Sequence, residues 1–110
     1  MEIRENDTLC IITPIQNELS DYKVRRIVER ISKEKRKVSI DLSNVQSCSN
    51  FFIESLAKLQ NKNLSIFNIN SDIFVLFNIM NIDKTIKLFV SELDFEENAR
   101  QLINRRFNIV

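Results

Sequence analysis

The 110-residue chain contains no histidine and no glycine. Without histidine it lacks the usual general base near neutral pH and the commonest metal ligand. Without glycine it cannot build a P-loop, a dinucleotide-binding G-x-G-x-x-G turn or the nucleophile elbow of a hydrolase. Two cysteines, Cys10 and Cys48, do not make a disulfide framework and favour a reduced, cytoplasmic setting. No apolar run reaches the roughly 18 residues of a membrane helix. The amino terminus, Met1-Glu2-Ile3-Arg4-Glu5-Asn6-Asp7, is too polar for a secretory signal. A net charge of +1 supplies no global field to recruit nucleic acid or an anionic membrane. The expectation is therefore no nucleic-acid partner and no direct membrane insertion.

What is present is the composition of an ordinary globular protein, with 44% hydrophobic and 28% charged residues. The length suffices for one domain, 1–110, with a modest core. Isoleucine, asparagine and lysine are abundant, which reads as a compositional bias rather than selection against glycine.

Along the chain, Met1–Arg4 is a short candidate strand and Thr8–Ile15 a clearer one, with Pro14 at an edge or exit position. Ser20 is a good N-cap, with Leu19 placed to staple against Val24. A helix follows over Asp21–Lys33, with Val24, Ile27, Val28 and Ile31 on its apolar face. The basic connector Ser32–Lys37 lacks interleaved aromatics, so it reads as a solvated helix end.

Val38–Leu42 has the β-branched pattern of a strand, and Ser43-Asn44 makes a polar turn. The small polar cluster Ser47-Cys48-Ser49-Asn50 suits a helix start, with Asn50 a candidate N-cap. Phe52, Ile53, Leu56, Ala57 and Leu59 then recur at helical spacing. This loop lies at the carboxyl end of a strand, where open α/β sheets place their sites, and a helix N-terminus there suits an anion. Leu64–Ile69 is a further strand. Ser71 is read as the cap of a helix over Asp72–Met80. Ile86–Val90 is a short last strand. Ser91 or Asp94 opens a final helix to about Arg106, with Phe95, Ala99, Leu102 and Ile103 inward. Strands alternating with helices predict a largely parallel sheet.

The segment Asp41-Leu42-Ser43-Asn44-Val45-Gln46-Ser47-Cys48-Ser49-Asn50-Phe51-Phe52-Ile53-Glu54-Ser55-Leu56 resembles the STAS domain, the fold of bacterial anti-sigma factor antagonists. That family reads roughly D-L-S-G-V-x-x-I-D-S-S-G-L-G-x-L here, and Asp41, Leu42, Ser43, Val45 and Leu56 match without a gap. Asn17-Glu18-Leu19-Ser20 resembles the family's G-E-L-D, and Asn81-Ile82-Asp83 its G-L-D. The resemblance covers about residues 8–105. It implies an α/β, STAS-like single domain with a mixed, mostly parallel sheet of four to five strands and about four helices. Asn44, Asn17 and Asn81 stand where the family has glycine, and asparagine is the other residue that best tolerates positive φ.

In the family, a Ser or Thr after the motif Asp is phosphorylated, and phosphorylation breaks the contact with an anti-sigma factor kinase. Here that phosphoacceptor position is Asn50 and the motif Asp position is Ser49. The resemblance thus implies a non-enzymatic, protein-binding signalling module in transcription regulation, without the usual phosphorylation switch. Ser49 and Ser47 are candidate displaced phosphosites, although hydroxyls at a helix start are also ordinary caps. The alternative is a STAS-like structural subunit of a transporter or sensor complex. The expected partner is an anti-sigma factor kinase-like protein or another protein subunit, contacted through Asn50, Phe51 and Glu54.

A second expected contact surface is Phe74 and Val75. They lie off the stripe of Ile73, Leu76, Phe77 and Met80, and would be exposed in a homodimer or partner surface unless another helix covers them. Asp41 has no partner carboxylate or histidine at useful spacing, so it reads as a residue that orders the loop rather than a catalyst. Cys48 reads as a small buried hydrophobe. No cofactor, metal or catalytic residue is expected.

Overall fold

A computed structural model describes residues 1–59, 63–82, 85–93 and 95–96. Its elements are β1 (Glu2–Glu5), β2 (Leu9–Thr13), β3 (Glu18–Leu19), α1 (Asp21–Lys33), β4 (Lys37–Asp41), β5 (Ser47–Cys48), α2 (Asn50–Ala57), β6 (Leu64–Phe67), α3 (Ser71–Ile79) and β7 (Lys87–Leu88). Five strands form one sheet in the order β1-β2-β4-β6-β7. Only β1 runs antiparallel; β2, β4, β6 and β7 pair in parallel. This is the expected mixed, mostly parallel α/β architecture. β3 and β5 add a two-stranded parallel ribbon, too short at two residues a strand to show any periodicity in the sequence.

The register divides the sheet into two faces. Cys10 opposes Val38 and Ile12 opposes Ile40, while Val38 opposes Leu64 and Ile40 opposes Ile66. These alternate residues join Val24, Ile27, Ile31, Phe52, Ile53, Leu56, Ile73 and Phe77 in one apolar core. The opposite face carries Ser39 and Ser65, a buried cross-strand pair with oxygens 2.6 Å apart, followed by Asp41 and Phe67. The Phe67 ring stacks on Phe95 at 5.1 Å, and Phe89 meets Phe95 edge-on. The segment after β7 therefore lies over this second face. Residues 92–93 and 95–96 are helical. Ala99, Leu102, Ile103 and the rest of the expected final helix lie outside the described residues, as does Asp83.

Several local expectations need correction. The N-cap of α3 is Asn70, not Ser71; its carboxamide oxygen accepts from the Ile73 N–H at 2.9 Å. The N-cap of α2 is Ser49, and Asn50 is already the first helical residue. β6 stops at Phe67 because Asn68 turns to φ 58°, a left-handed value that asparagine tolerates. Asn81 also sits at φ 60°, but Asn17 and Asn44 do not have positive φ. Ala57 is exposed, one residue off the buried stripe of Phe52, Ile53 and Leu56. The last strand is shorter than Ile86–Val90 and spans Lys87–Leu88.

The connector after α1 is not simply a solvated end. Glu34 is buried and accepts from Arg36 Nε at 2.7 Å and Arg30 Nη1 at 2.8 Å. Arg36 also pairs with Glu5 at 2.8 Å. The guanidinium groups of Arg36 and Arg30 hold the Glu34 carboxyl well below the usual carboxylate range. Donor atoms of Glu5, Cys10 and Glu34 lie within 4.8 Å of one another. Both carboxylates are already neutralised by arginine, and burial pushes the Cys10 thiol up, so this cluster is an ion-pair network closing the amino end of the sheet.

Candidate functional site

The carboxyl ends of β4 and β6 meet at Asp41, which orders the loop that follows. One carboxylate oxygen accepts from the Ser43 N–H at 2.9 Å and from Asn68 Nδ2 at 3.0 Å. The other takes Arg4 Nη2 at 3.2 Å, and Arg4 Nη1 reaches Glu92 at 2.9 Å. Asn68 Oδ1 in turn accepts from the Glu92 N–H at 3.1 Å. Asp41 is nearly buried, so these donors replace the water it lost on folding. These bonds fix the turn after β4, in agreement with a loop-ordering role.

The loop is tied from both sides. Asn44 Nδ2 donates to the Pro14 carbonyl at 3.3 Å. The Asn17 carbonyl accepts from the Gln46 and Ser47 N–H groups at 2.7 and 3.2 Å. Asn70 Nδ2 donates to the carbonyls of Val45 and Gln46. Asn70 thus caps α3 and holds the loop before α2 with one carboxamide. Sequence reading missed Asn68 and Asn70; asparagines before a helix start were the available signal, obscured by the abundance of that residue.

The start of α2 is more open. Ser47, Ser49, Asn50 and Glu54 are exposed, and Cys48 is half-buried. Ser49 has extended cap geometry, yet its hydroxyl makes no cap hydrogen bond. Burial alone pushes the Cys48 thiol up to about 11, which keeps it protonated and weakly nucleophilic at neutral pH. Phe51 is half-buried at the margin of the core, with the Arg25 guanidinium 5.6 Å from its ring. Phe52 is fully buried and meets Phe77 with centroids 6.4 Å apart. A shallow groove of about 130 Å³ runs between the loop and α3, lined by Gln46, Ser47, Cys48, Asp72, Ile73 and Leu76.

On α3, Ile73 and Phe77 are buried while Leu76 and Met80 pack partly against the core. Phe74 is 36% exposed, Val75 53% and Ile79 71%. The loop and α3 are thus neighbours, and each offers side chains that the domain does not use for its own core. Among the described residues no helix is long and apolar enough to cross a membrane.

No protein-family model matches the sequence, and no curated protein does either. Solved structures do match in shape. One is a Thermotoga maritima protein described as an anti-sigma factor antagonist, with TM-score 0.69 and 17% identity, over 90% of this chain and 93% of that one. Another comes from the stressosome, described as a signal integration and transduction hub. It has TM-score 0.61 and 13% identity, over 93% of this chain and 98% of its own. Asp41 and the ordered loop, the parallel sheet with its single antiparallel edge strand, and these two likenesses converge: the chain has the STAS fold.

Proposed function

We propose that this chain is a non-enzymatic protein-binding module of signalling, related in action to anti-sigma factor antagonists and working in the cytoplasm. Its partner is an anti-sigma factor kinase-like protein or another protein subunit. The observation that carries the reading is Asn50, exposed at the first position of α2 in a STAS fold. An amide there cannot accept a phosphoryl group and leaves the helix start neutral, as in the unphosphorylated, binding-competent form of the family. Asn50, Phe51 and Glu54 form the contact surface at the loop. Ser49 and Ser47 are exposed hydroxyls beside it and the alternative acceptors if a switch exists.

Phe74 and Val75, with the exposed Ile79, favour a second reading in which α3 joins copies or subunits. The stressosome neighbour is itself part of an assembly. On this reading the chain serves as a structural subunit of a sensor or transporter complex. Co-purification from the native host separates the two readings. An anti-sigma kinase recovered with the chain supports the first; sensor or transporter subunits support the second. Stoichiometric phosphate on Ser47, Ser49 or Ser55 by mass spectrometry would refute the absence of a switch.

A further inference from the structure

A second concavity opens at the same edge of the sheet. Pro14 follows β2, Met1 precedes β1, and the first turns of α1 stand beside both. Between them lies a cavity of about 210 Å³ lined by Met1, Pro14, Gln16, Lys23, Arg26 and Ile27. That is smaller than the roughly 300–1,000 Å³ of sites enclosing a drug-sized ligand or cofactor, so it has room for a side chain rather than a nucleotide. Pro14 and Ile27 are buried and give it an apolar lining, while Lys23 and Arg26 give it positive charge.

Lys23 and Arg26 form no ion pair among the described residues. Glu29, one turn beyond Arg26, is paired with Lys33 at 2.9 Å. Both cations lie against the exposed ring of Tyr22, at 6.0 and 5.9 Å from its centroid, and Arg26 Nη1 donates to the phenol oxygen at 3.2 Å. The amino-end arginines Arg30 and Arg36, by contrast, are saturated by Glu34 and Glu5. The cavity is also tied to the ordered loop, because Asn44 donates to the carbonyl of its lining residue Pro14.

We propose that this cavity receives a glutamate side chain from an acidic segment of a partner protein. Lys23 and Arg26 pair with its carboxylate, and Pro14 and Ile27 pack against its methylenes. A charge-assisted pair with an arginine fork suits a carboxylate. A nucleic-acid backbone would need a longer row of cations than the two that line this cavity. The proposal rests on the protein-binding reading, but its test needs no native partner, so failure of one leaves the other standing.

The probe is hexaglutamate, with hexaglutamine as control, titrated into the whole chain at low ionic strength and followed by amide NMR shifts. Shifts should centre on Gln16, Lys23, Arg26 and Ile27, and should fade as salt is added. Lys23→Gln with Arg26→Gln should weaken hexaglutamate about tenfold or more, whereas Arg25→Gln, on the side facing Phe51, should leave it nearly unchanged. If the double variant loses its helical circular dichroism, Arg26→Gln alone decides, since that side chain is exposed. Unchanged affinity in the variants, equal binding of hexaglutamine, or shifts centred elsewhere would overturn the proposal. So would tighter binding of a short single-stranded oligonucleotide.

Discussion

Helices α2 and α3 both start at the carboxyl edge of the sheet, one residue after an asparagine or serine in extended conformation, yet the two starts are finished differently. At α3 the Asn70 carboxamide satisfies Ile73 N–H and also grips the carbonyls of Val45 and Gln46. At α2 the Ser49 hydroxyl caps nothing, and no acidic residue lies in the first turn. Helix α1 follows the α3 pattern, with Ser20 Oγ accepting from Lys23 N–H at 3.3 Å. A capped start contributes about 1 kcal/mol. The α2 start forgoes that contribution and presents an exposed amide and a half-buried phenylalanine instead. The chain is built tightly around this point and loosely at it.

The largest test of that contrast compares the two phenylalanines of α2. Phe52 is fully buried, so Phe52→Ala should cost about 3–5 kcal/mol and move the denaturant midpoint accordingly. Phe51→Ala should cost only about 1 kcal/mol, the scale of partial burial plus one cation–π contact, while impairing partner capture. Chemical denaturation of both variants checks this. Equal losses would place Phe51 in the core and remove the open character of the helix start.

Next in size is the pair of caps. Asn70→Ala should cost about 1–2 kcal/mol through loss of the α3 cap, and the loop before α2 should exchange its amide hydrogens faster, since Val45 and Gln46 lose their tether. Ser49→Ala should stay within about 0.5 kcal/mol, as for a surface change that removes no hydrogen bond. Thermal denaturation with hydrogen exchange resolves the two. A Ser49→Ala loss as large as that of Asn70→Ala would mean that α2 is capped in solution after all.

How far these differences could be read from the sequence depends on their physical origin. α1 was legible to the residue, because Ser20, with Leu19 placed to staple against Val24, stands before a clean 3.6-residue apolar period. The parallel order was legible because strands and helices alternate. The caps of α2 and α3 were each misplaced by one residue. In both, two or three consecutive side chains can cap, and at α3 the tertiary reach of Asn70 to Val45 and Gln46 selects between them. The Glu34–Arg30–Arg36–Glu5 network was invisible for a similar reason. Its members are spread over two distant segments, and a charge run alone does not reveal that β1 brings Glu5 to it. The far face of the sheet was partly hidden as well, since Ser39, Asp41 and Ser65 look like solvent-facing residues until Phe95 and Glu92 are found against that face. Of the three asparagines expected to replace glycine, only Asn81 takes positive φ, while the unanticipated Asn68 does so to end β6.

A small expected gain in stability is the most informative about function. Asn50→Asp places a carboxylate at the first position of α2, in a turn that the Ser49 hydroxyl does not cap. The helix dipole should then stabilise the fold by about 0.3–1 kcal/mol at neutral pH, an effect that salt screens and that fades as pH falls through the carboxylate range. If position 50 faces a partner that binds the neutral form, the same charge should weaken capture by roughly tenfold or more, a factor worth about 1.4 kcal/mol. Stability and binding would move in opposite directions. A purely structural role for Asn50 cannot produce that, because damage to the fold lowers both together. Calorimetry on the isolated chain, paired with titration of the co-purified partner, reads the two signs. A stabilised variant with unchanged partner affinity would take Asn50 out of the interface and move the contact to Phe74 and Val75 on α3.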